Sequence, residues 1–181
     1  MTVSSNETSP AIFLDRDGTL MRDVDYCGDP GRVEVYPGAA DALRRLKQAG
    51  YKLIVVTNQS GIGRGYFSEN DYLAVQGEFL HQLGDGLIDD TYYCPDLPDT
   101  GSVRRKPEPG MIFEAQRDHH LDLMRSYFIG DKSSDIGCGR NAGVRTILVQ
   151  IGYGAQEVSC RADWIVSDLA RAAEIILGAH A

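Results

Sequence analysis

The 181-residue chain contains little cysteine, a single tryptophan and no long apolar run. Its four cysteines, Cys27, Cys94, Cys138 and Cys160, are widely scattered, which indicates free thiols in a reducing compartment and argues against a disulfide framework. No apolar stretch approaches the roughly 20 residues that a membrane-spanning helix needs. We therefore expect a cytoplasmic protein that does not act at a membrane.

Positive charge is also scarce. The chain has 18 Lys and Arg against 26 Asp and Glu, which gives a net charge of -8. An acidic surface argues against non-specific binding of nucleic acid. It would also repel an anionic substrate, so positive charge must then be concentrated at the site. Five basic residues lie in or beside the motifs described below: Arg16, Arg64, Arg105, Lys106 and Lys132. The four histidines, His81, His119, His120 and His180, follow no motif, and we expect them to be solvated helix residues.

The first ten residues, 1–10, are polar and lack the basic and apolar regions of a secretory signal. We expect them to be a disordered lead-in. A chain of this length most often forms one domain with a core of ordinary size, which we place at residues 11–181.

Short apolar runs alternate with segments of helical pattern along the chain. Strands are predicted at 11–14, 53–56, 88–94, 127–129, 146–149 and 164–166, and helices at 39–48, 68–83, 109–120, 134–142 and 168–177. The third of these helices has a proline near its start, and the second begins with Ser68 and Asp71 in the pattern of a capping box. Such alternation predicts an α/β fold of the Rossmann-like, doubly wound kind, with a mainly parallel sheet and helices on both faces. The elements leave no room for a separate cap domain.

Two aspartates directly follow the first predicted strand. Asp15 and Asp17 are two residues apart in the segment Asp-Arg-Asp-Gly-Thr. They would lie at the carboxyl end of the strand, where open α/β sheets bind their ligands. One carboxylate of such a pair can act as a nucleophile while the other transfers protons. Taken alone, the segment could also be a polar turn.

Three later segments complete a pattern. The second strand ends in Thr57-Asn58-Gln59-Ser60, Lys106 stands before a proline, and the fourth strand ends in Gly130-Asp131-Lys132 with Asp135 beyond it. In this order the motifs resemble those of the haloacid dehalogenase-like phosphohydrolases, from Ala11 to about Leu169. Within that class, the segments at 11–19, 55–62, 92–95 and 105–107 are similar to the subgroup of heptose 1,7-bisphosphate and histidinol-phosphate phosphatases.

The resemblance implies a role for each motif residue. Asp15 would be the nucleophile that forms an aspartyl-phosphate, and Asp17 would be the general acid and base. Carboxylates at Asp15 and Asp131 favour Mg²⁺ among the common cations, and the backbone carbonyl of Asp17 would be the third protein ligand. Substrate and phosphate would be bound by Thr57, Asn58, Gln59, Ser60, Arg105, Lys106 and Lys132. Among these, Arg105 could bind a second anionic group, and Lys132 could contact substrate or Asp131. Asp135 could support the metal ligands or could be a favourable charge at a helix N-terminus.

The loop before Arg105 departs from the subgroup, in which many members carry a structural zinc. Of the zinc ligands only Cys94 is present, and residues 95–104 contain no further Cys or His. One thiolate cannot form a closed zinc site, which needs four ligands. We therefore expect no structural zinc and a loop stiffened by Pro95 and Pro98.

The resemblance thus predicts a Mg²⁺-dependent phosphatase acting on a small sugar phosphate, best matched by the 7-phosphate of D-glycero-D-manno-heptose 1,7-bisphosphate in bacterial surface-polysaccharide synthesis. Histidinol phosphate or a broader set of small phosphate esters is the enzymatic alternative. A non-catalytic module that binds phospho-ligands is a third reading, although binding alone does not require Asp17. We expect a monomer.

Overall fold

The structure, a computed structural model, describes residues 8–155 and 160–178. Most of the predicted lead-in, together with His180, lies outside the described residues. Ser9, at the end of that lead-in, is already part of the fold because its backbone N–H donates to His120 and its carbonyl accepts from Asp122. No described helix is long and apolar enough to cross a membrane.

The described residues form one six-stranded parallel sheet in the order β3-β2-β1-β4-β5-β6. Its strands are β1 (Ala11–Leu14), β2 (Lys52–Asn58), β3 (Asp90–Cys94), β4 (Tyr127–Gly130), β5 (Arg145–Val149) and β6 (Trp164–Val166). The helices are α1 (Ala39–Gln48), α2 (Ser60–Gly63), α3 (Glu69–Leu83), α4 (Gly110–His119), α5 (Ser133–Ala142) and α6 (Leu169–Gly178), with single 3₁₀ turns at Pro30–Arg32, Leu123–Arg125 and Gly152–Ala155.

Helices cover both faces of the sheet, which confirms the predicted doubly wound fold. Side chains alternate along each strand, so Ile12 and Leu14 of β1 pack in a cluster with α1, α3 and α6. Ala11 and Phe13 point to the opposite face and pack in a second cluster with α4 and α5. Strands buried on both faces read as the continuous apolar runs seen in the sequence. No cap domain is present among the described elements.

Most predicted element boundaries agree with the structure within two residues. Ser68 and Asp71 form the predicted capping box at the start of α3. The short helix α2 was not predicted, because Gly61 and Gly63 lower the helical propensity of its four residues. The third strand begins at Asp90 and not at Ile88.

One prediction about histidine is wrong. His119 is not a freely solvated residue, since its side chain is only 22% exposed and its Nε2 lies 2.8 Å from Oδ2 of Asp90. This contact joins the end of α4 to β3. The sequence pattern shows no sign of the pairing because it joins residues 29 positions apart.

Candidate active site

The motif residues meet beside β1, the strand from which successive strands are added first to one side of the sheet and then to the other. β1 lies between β2 and β4, so the carboxyl ends of these three strands are adjacent. Asp15 follows β1, Thr57 is near the end of β2 and Asp131 follows β4. This edge is the topological switch point at which open α/β sheets bind ligands.

Three buried carboxylates cluster at this edge. Asp15, Asp131 and Asp135 each present one oxygen within 4.8 Å of the others. The loop after β1 passes so close that a Cβ on Gly18 would lie 2.3 Å from Oδ2 of Asp131, and Gly18 also has a left-handed φ of +91°. Only glycine fits such an approach. Convergent carboxylate oxygens are the ligands that Mg²⁺ prefers, so the donor set fits this cation.

The structure assigns Asp135 both of the roles that the sequence left open. Its Oδ2 accepts from the backbone N–H of Lys132, which caps the start of α5. Its Oδ1 lies 2.6 Å from Nζ of Lys106. With both oxygens engaged, Asp135 supports the site through Lys106 and the helix terminus, while Asp15 and Asp131 remain the better candidates for direct ligands.

Lys106 is the buried cation of the cluster. Its Nζ donates to Oδ1 of Asp15 at 2.7 Å and to the carbonyl of Val56 at 2.8 Å, in addition to the contact with Asp135. Burial alone would lower the pKa of the Lys106 ammonium, but the charges of Asp135 and Asp15 raise it above its ordinary value. The site therefore holds a permanent positive charge beside Asp15, suited to a phosphate oxygen.

Burial has the opposite effect on the pKa of Asp15, the proposed nucleophile. Burial, followed by the negative charge of Asp135, raises the pKa of the Asp15 carboxyl to about 8. Lys106 and Lys132 offset part of this rise, and Asp131 adds to it. A divalent cation between Asp15 and Asp131 would neutralise the excess negative charge.

Asp17 is held by three side chains. Arg16 donates to both of its carboxylate oxygens at 3.1 Å, Gln59 donates to Oδ2 at 2.9 Å, and the hydroxyl of Thr57 lies 3.4 Å from the same oxygen. The carboxyl group is nonetheless 17% exposed and borders the mouth of the site. The carboxylate of Asp17 therefore has a fixed orientation at the mouth of the site.

Arg16 does not contribute to the positive charge at the mouth, contrary to the expectation from sequence. Its side chain is fully buried, packs against the ring of Tyr72 and donates to Oε1 of Gln76 at 3.1 Å. Because its other donors face Asp17, it acts as a fixed support for that carboxylate. Gln76, on α3, was missed in the sequence because only its place on the buried face of a helix marks it.

Asn58 fixes the backbone of Lys106. Its amide nitrogen donates to the carbonyl of Lys106, and its carbonyl oxygen accepts from the N–H of the same residue, both at 3.1 Å. This pair of bonds explains how a loop residue reaches a buried position. The predicted contacts of Thr57, Asn58, Gln59 and Ser60 with phosphate remain predictions, although Thr57 and Gln59 also orient Asp17.

The mouth of the site combines acidic, basic and aromatic groups. Its lining includes Asp23, Tyr26, Cys27, Ser60, Arg105 and Lys132. Lys132 donates from Nζ to Asp23 at 2.8 Å, a partner that the sequence did not suggest. Burial alone would lower the pKa of the Lys132 ammonium, but the negative charge of Asp15 and the bond to Asp23 raise it. Lys132 is thus a positive charge fixed in place at the mouth of the site.

Two loops beside the mouth, at 24–35 and 60–67, form one wall. Tyr26 is 47% exposed and contacts the ring of Tyr66 edge-on, with centroids 4.9 Å apart. Beneath them, Phe67 lies where a Cβ on Gly28 or Gly61 would clash with its ring. The segments at 24–35 and 60–67 are therefore packed against each other.

Comparison with known proteins agrees with this geometry. A haloacid dehalogenase-like hydrolase model matches residues 12–70, and a second model of the same class matches residues 103–172. The D-glycero-D-manno-heptose-1,7-bisphosphate 7-phosphatase of Thermosynechococcus vestitus is 40% identical, with 92% of this chain and 95% of that protein covered. The α-anomer 7-phosphatase of Burkholderia mallei is 41% identical over 86% of this chain and 87% of its own.

A solved structure is also similar. The D,D-heptose 1,7-bisphosphate phosphatase of B. bronchiseptica, in complex with magnesium and phosphate, has a TM-score of 0.85 and 34% identity, with 94% of this chain and 99% of that chain covered. Fold and site thus define a haloacid dehalogenase-like hydrolase. Within that class, the chain belongs to the family of the D-glycero-D-manno-heptose-1,7-bisphosphate 7-phosphatases.

Proposed function

We propose that this protein is a Mg²⁺-dependent phosphatase that removes the 7-phosphate of D-glycero-D-manno-heptose 1,7-bisphosphate. The observation that carries the proposal is the pairing of Asp15, beside a buried Lys106, with Asp17 at the mouth of the same site. A module that only binds phospho-ligands has no need for the oriented carboxylate of Asp17. Relatives at about two-fifths identity over most of the chain support the substrate.

The reaction has two steps. In the first, a carboxylate oxygen of Asp15 attacks phosphorus, the bond from phosphorus to the sugar oxygen breaks, and Asp17 gives its proton to that oxygen. In the second, Asp17 takes a proton from water as the water oxygen attacks phosphorus. The bond to Asp15 then breaks, and inorganic phosphate leaves.

The surrounding groups neutralise charge and fix geometry. Lys106 is placed to bind an oxygen of the transferring phosphate, and Thr57 and Gln59 hold Asp17 in orientation. Magnesium, held by Asp15, Asp131 and the backbone carbonyl of Asp17, would neutralise charge on the transferring group. Preorganised charge of this kind supplies most of the catalysis of phosphoryl transfer.

We assign to Arg105 the binding of the second phosphate, the one that is not cleaved. This residue lines the mouth together with Lys132, away from the buried cluster. A guanidinium binds phosphate through two parallel hydrogen bonds, which suits a group that must be held and not cleaved. The 1-phosphate would therefore remain bound at the mouth while the 7-phosphate reacts.

Phosphate release from a panel of substrates tests the proposal. The panel holds both anomers of the heptose bisphosphate, histidinol phosphate and fructose 1,6-bisphosphate, each with Mg²⁺ and with Asp17→Asn as the inactive control. We expect the highest kcat/KM on one heptose anomer, with the 1-phosphate retained in the product. A higher value on histidinol phosphate would favour that alternative, and no turnover on any compound would contradict an enzyme.

Free thiols at Cys27, Cys94, Cys138 and Cys160 support a reducing, cytoplasmic location. We also propose a monomer, which sedimentation equilibrium would test.

A further inference from the structure

The loop between β3 and α4 carries Arg105 to the mouth of the site. At its base, the thiol of Cys94 lies 3.4 Å from Oδ2 of Asp96 and 3.7 Å from the hydroxyl of Ser102. The hydroxyl of Ser102 donates to the same Oδ2 of Asp96 at 2.5 Å. Three polar side chains, eight residues apart at most, thus close the loop on the carboxylate of Asp96.

Asp96 is connected to Arg105 through its backbone. The carbonyl of Asp96 accepts from Nη1 of Arg105 at 2.9 Å. The side chain of Asp96 therefore fixes the residue whose main chain orients the guanidinium. Without the hydrogen bonds to the carboxylate of Asp96, neither the loop nor the carbonyl that accepts from Arg105 would be held in place.

The carboxylate of Asp96 is suited to this role. The hydrogen bond from Ser102, followed by that from Cys94, lowers the pKa of the Asp96 carboxyl below its ordinary value. Asp96 is accordingly a charged acceptor near neutral pH, and hydrogen bonds to charged groups are the stronger kind. The predicted stiffening by Pro95 and Pro98 is thus accompanied by a hydrogen-bonded closure.

The loop also has a fixed support on its outer side. A Cβ on Gly63 would lie 2.4 Å from the carbonyl oxygen of Pro95, so α2 and the loop touch through backbone atoms. At the far end, Arg104 donates to both carboxylate oxygens of Glu114 on α4, at 2.8 and 3.0 Å. Between these supports, Nη1 of Arg105 donates to the carbonyl of Asp96.

We propose that Asp96 is the positioning residue for Arg105, and that its bonds with Cys94 and Ser102 take the place of a metal in closing this loop. The proposal rests on the proposed function, in which Arg105 binds the phosphate that is not cleaved. Asp96 itself need not touch substrate. Its effect should therefore depend on that second phosphate.

Kinetics on a matched pair of substrates test this role. D-glycero-D-manno-heptose 1,7-bisphosphate and its 7-phosphate differ only in the distal group. For Ser102→Ala and Asp96→Asn we expect about a twofold to tenfold lower kcat/KM on the bisphosphate, through KM, because one or two hydrogen bonds are lost. Both variants should match the wild type on the 7-phosphate. Thr100→Ala is the control, since it removes a hydroxyl of the same loop that donates to the carbonyl of Leu97 and not to Asp96.

A double-mutant cycle with Arg105→Ala separates positioning from general loosening. If Asp96 acts through Arg105, Ser102→Ala should cause no further loss in the Arg105→Ala background. Additive losses, or equal losses on the two substrates, would overturn the proposal. So would wild-type kinetics for Ser102→Ala while Arg105→Ala alone impairs the bisphosphate, a result that leaves the proposed function intact. If Asp96→Asn proves poorly folded by circular dichroism, Ser102→Ala decides the question.

Discussion

The carboxylate of Asp17 shows how single residues set the chemistry of this site. Its oxygens are engaged by Arg16, which precedes it after β1, and by Thr57 and Gln59, which lie together at the end of β2. Arg16 adjoins Asp17 in sequence yet is fully buried, with Gln76 of α3 behind it. The proposed general acid is thus oriented by buried side chains and not by solvent-exposed groups.

A comparison of Arg105 with Lys106 tests the division of work between two adjacent basic residues. Arg105 is placed at the mouth and Lys106 beside Asp15. A charge-assisted hydrogen bond is worth roughly 1.5–3 kcal/mol, so Arg105→Ala should lower kcat/KM on the heptose bisphosphate about tenfold to hundredfold. Its effect on a monophosphate such as histidinol phosphate should be much smaller.

Lys106→Ala should lower activity on both substrates, because in the proposed mechanism its ammonium binds the phosphate that is transferred. The measurement is kcat/KM of both variants on both compounds, with circular dichroism to confirm folding. Equal losses on the two substrates for Arg105→Ala would contradict a distal-phosphate role and favour a broader phosphatase.

At the scale of elements, the start of α3 offers a direct test of helix capping. The hydroxyl of Ser68 accepts from the N–H of Asp71, whose carboxylate accepts from Ser68 in return. Ser68→Ala should lower the free energy of unfolding by about 1 kcal/mol, measured by urea denaturation. Ser68→Thr, which keeps a hydroxyl that can both accept from the N–H of Asp71 and donate to its carboxylate, should remain near the wild type. Equal destabilisation by both substitutions would show that the cap is not the cause.

The loop after β3 leads to a prediction about metal content. Among the described residues, the one cluster of potential metal-binding side chains is Asp15, Asp131 and Asp135, and it does not include Cys94. We expect no stoichiometric zinc in protein purified without added metal, as measured by elemental analysis. One tightly bound zinc per chain would show that residues 94–105 fold differently around a metal.

The sequence was most informative where a local cause determines the element. The capping box of Ser68 and Asp71 indicated the start of α3 from nearby residues alone. It was least informative where a partner comes from far along the chain. His119 with Asp90, and Lys132 with Asp23, are contacts that no periodicity can indicate.

The same contrast between local causes and distant partners applies to the site. That Asp15, Asp17, Lys106 and Asp131 lie together could be predicted, because the aspartates follow β1 and β4 and Lys106 belongs to the same ordered set of motifs. Their catalytic roles remain predictions. The support of Lys106 by Asn58 could not be predicted, because it depends on the end of β2 meeting the loop before α4 in space. The direction of Arg16, inward and not toward the mouth, likewise depends on the packing of α3 against the sheet.

For the whole molecule, the cluster of buried carboxylates makes stability depend on pH and metal. The pKa of Asp15 is raised to about 8 in the folded protein, whereas an aspartate in an unfolded chain has a pKa of about 4. The metal-free folded state therefore binds this proton more tightly than the unfolded state. Its free energy of unfolding should fall as the pH rises between those two values.

Magnesium should reverse this loss, because it binds the ionised carboxylate. We expect the increase in Tm caused by Mg²⁺ to be larger near pH 8 than near pH 5. Thermal melts with and without Mg²⁺ across that range provide the measurement, with Asp15→Asn as the control that lacks the titrating group. A magnesium effect that is the same at both ends of the range would contradict the proposed coupling.

The central claim is that the phosphoryl group passes through a covalent bond to Asp15. A rapid-quench, single-turnover experiment with radioactive phosphorus in the 7-phosphate tests it most directly. We predict a transient label on the peptide that contains Asp15, stable in acid and released by hydroxylamine, with large losses of turnover in Asp15→Asn and Asp17→Asn. Label on another residue, or near-normal turnover by Asp15→Asn, would contradict the account.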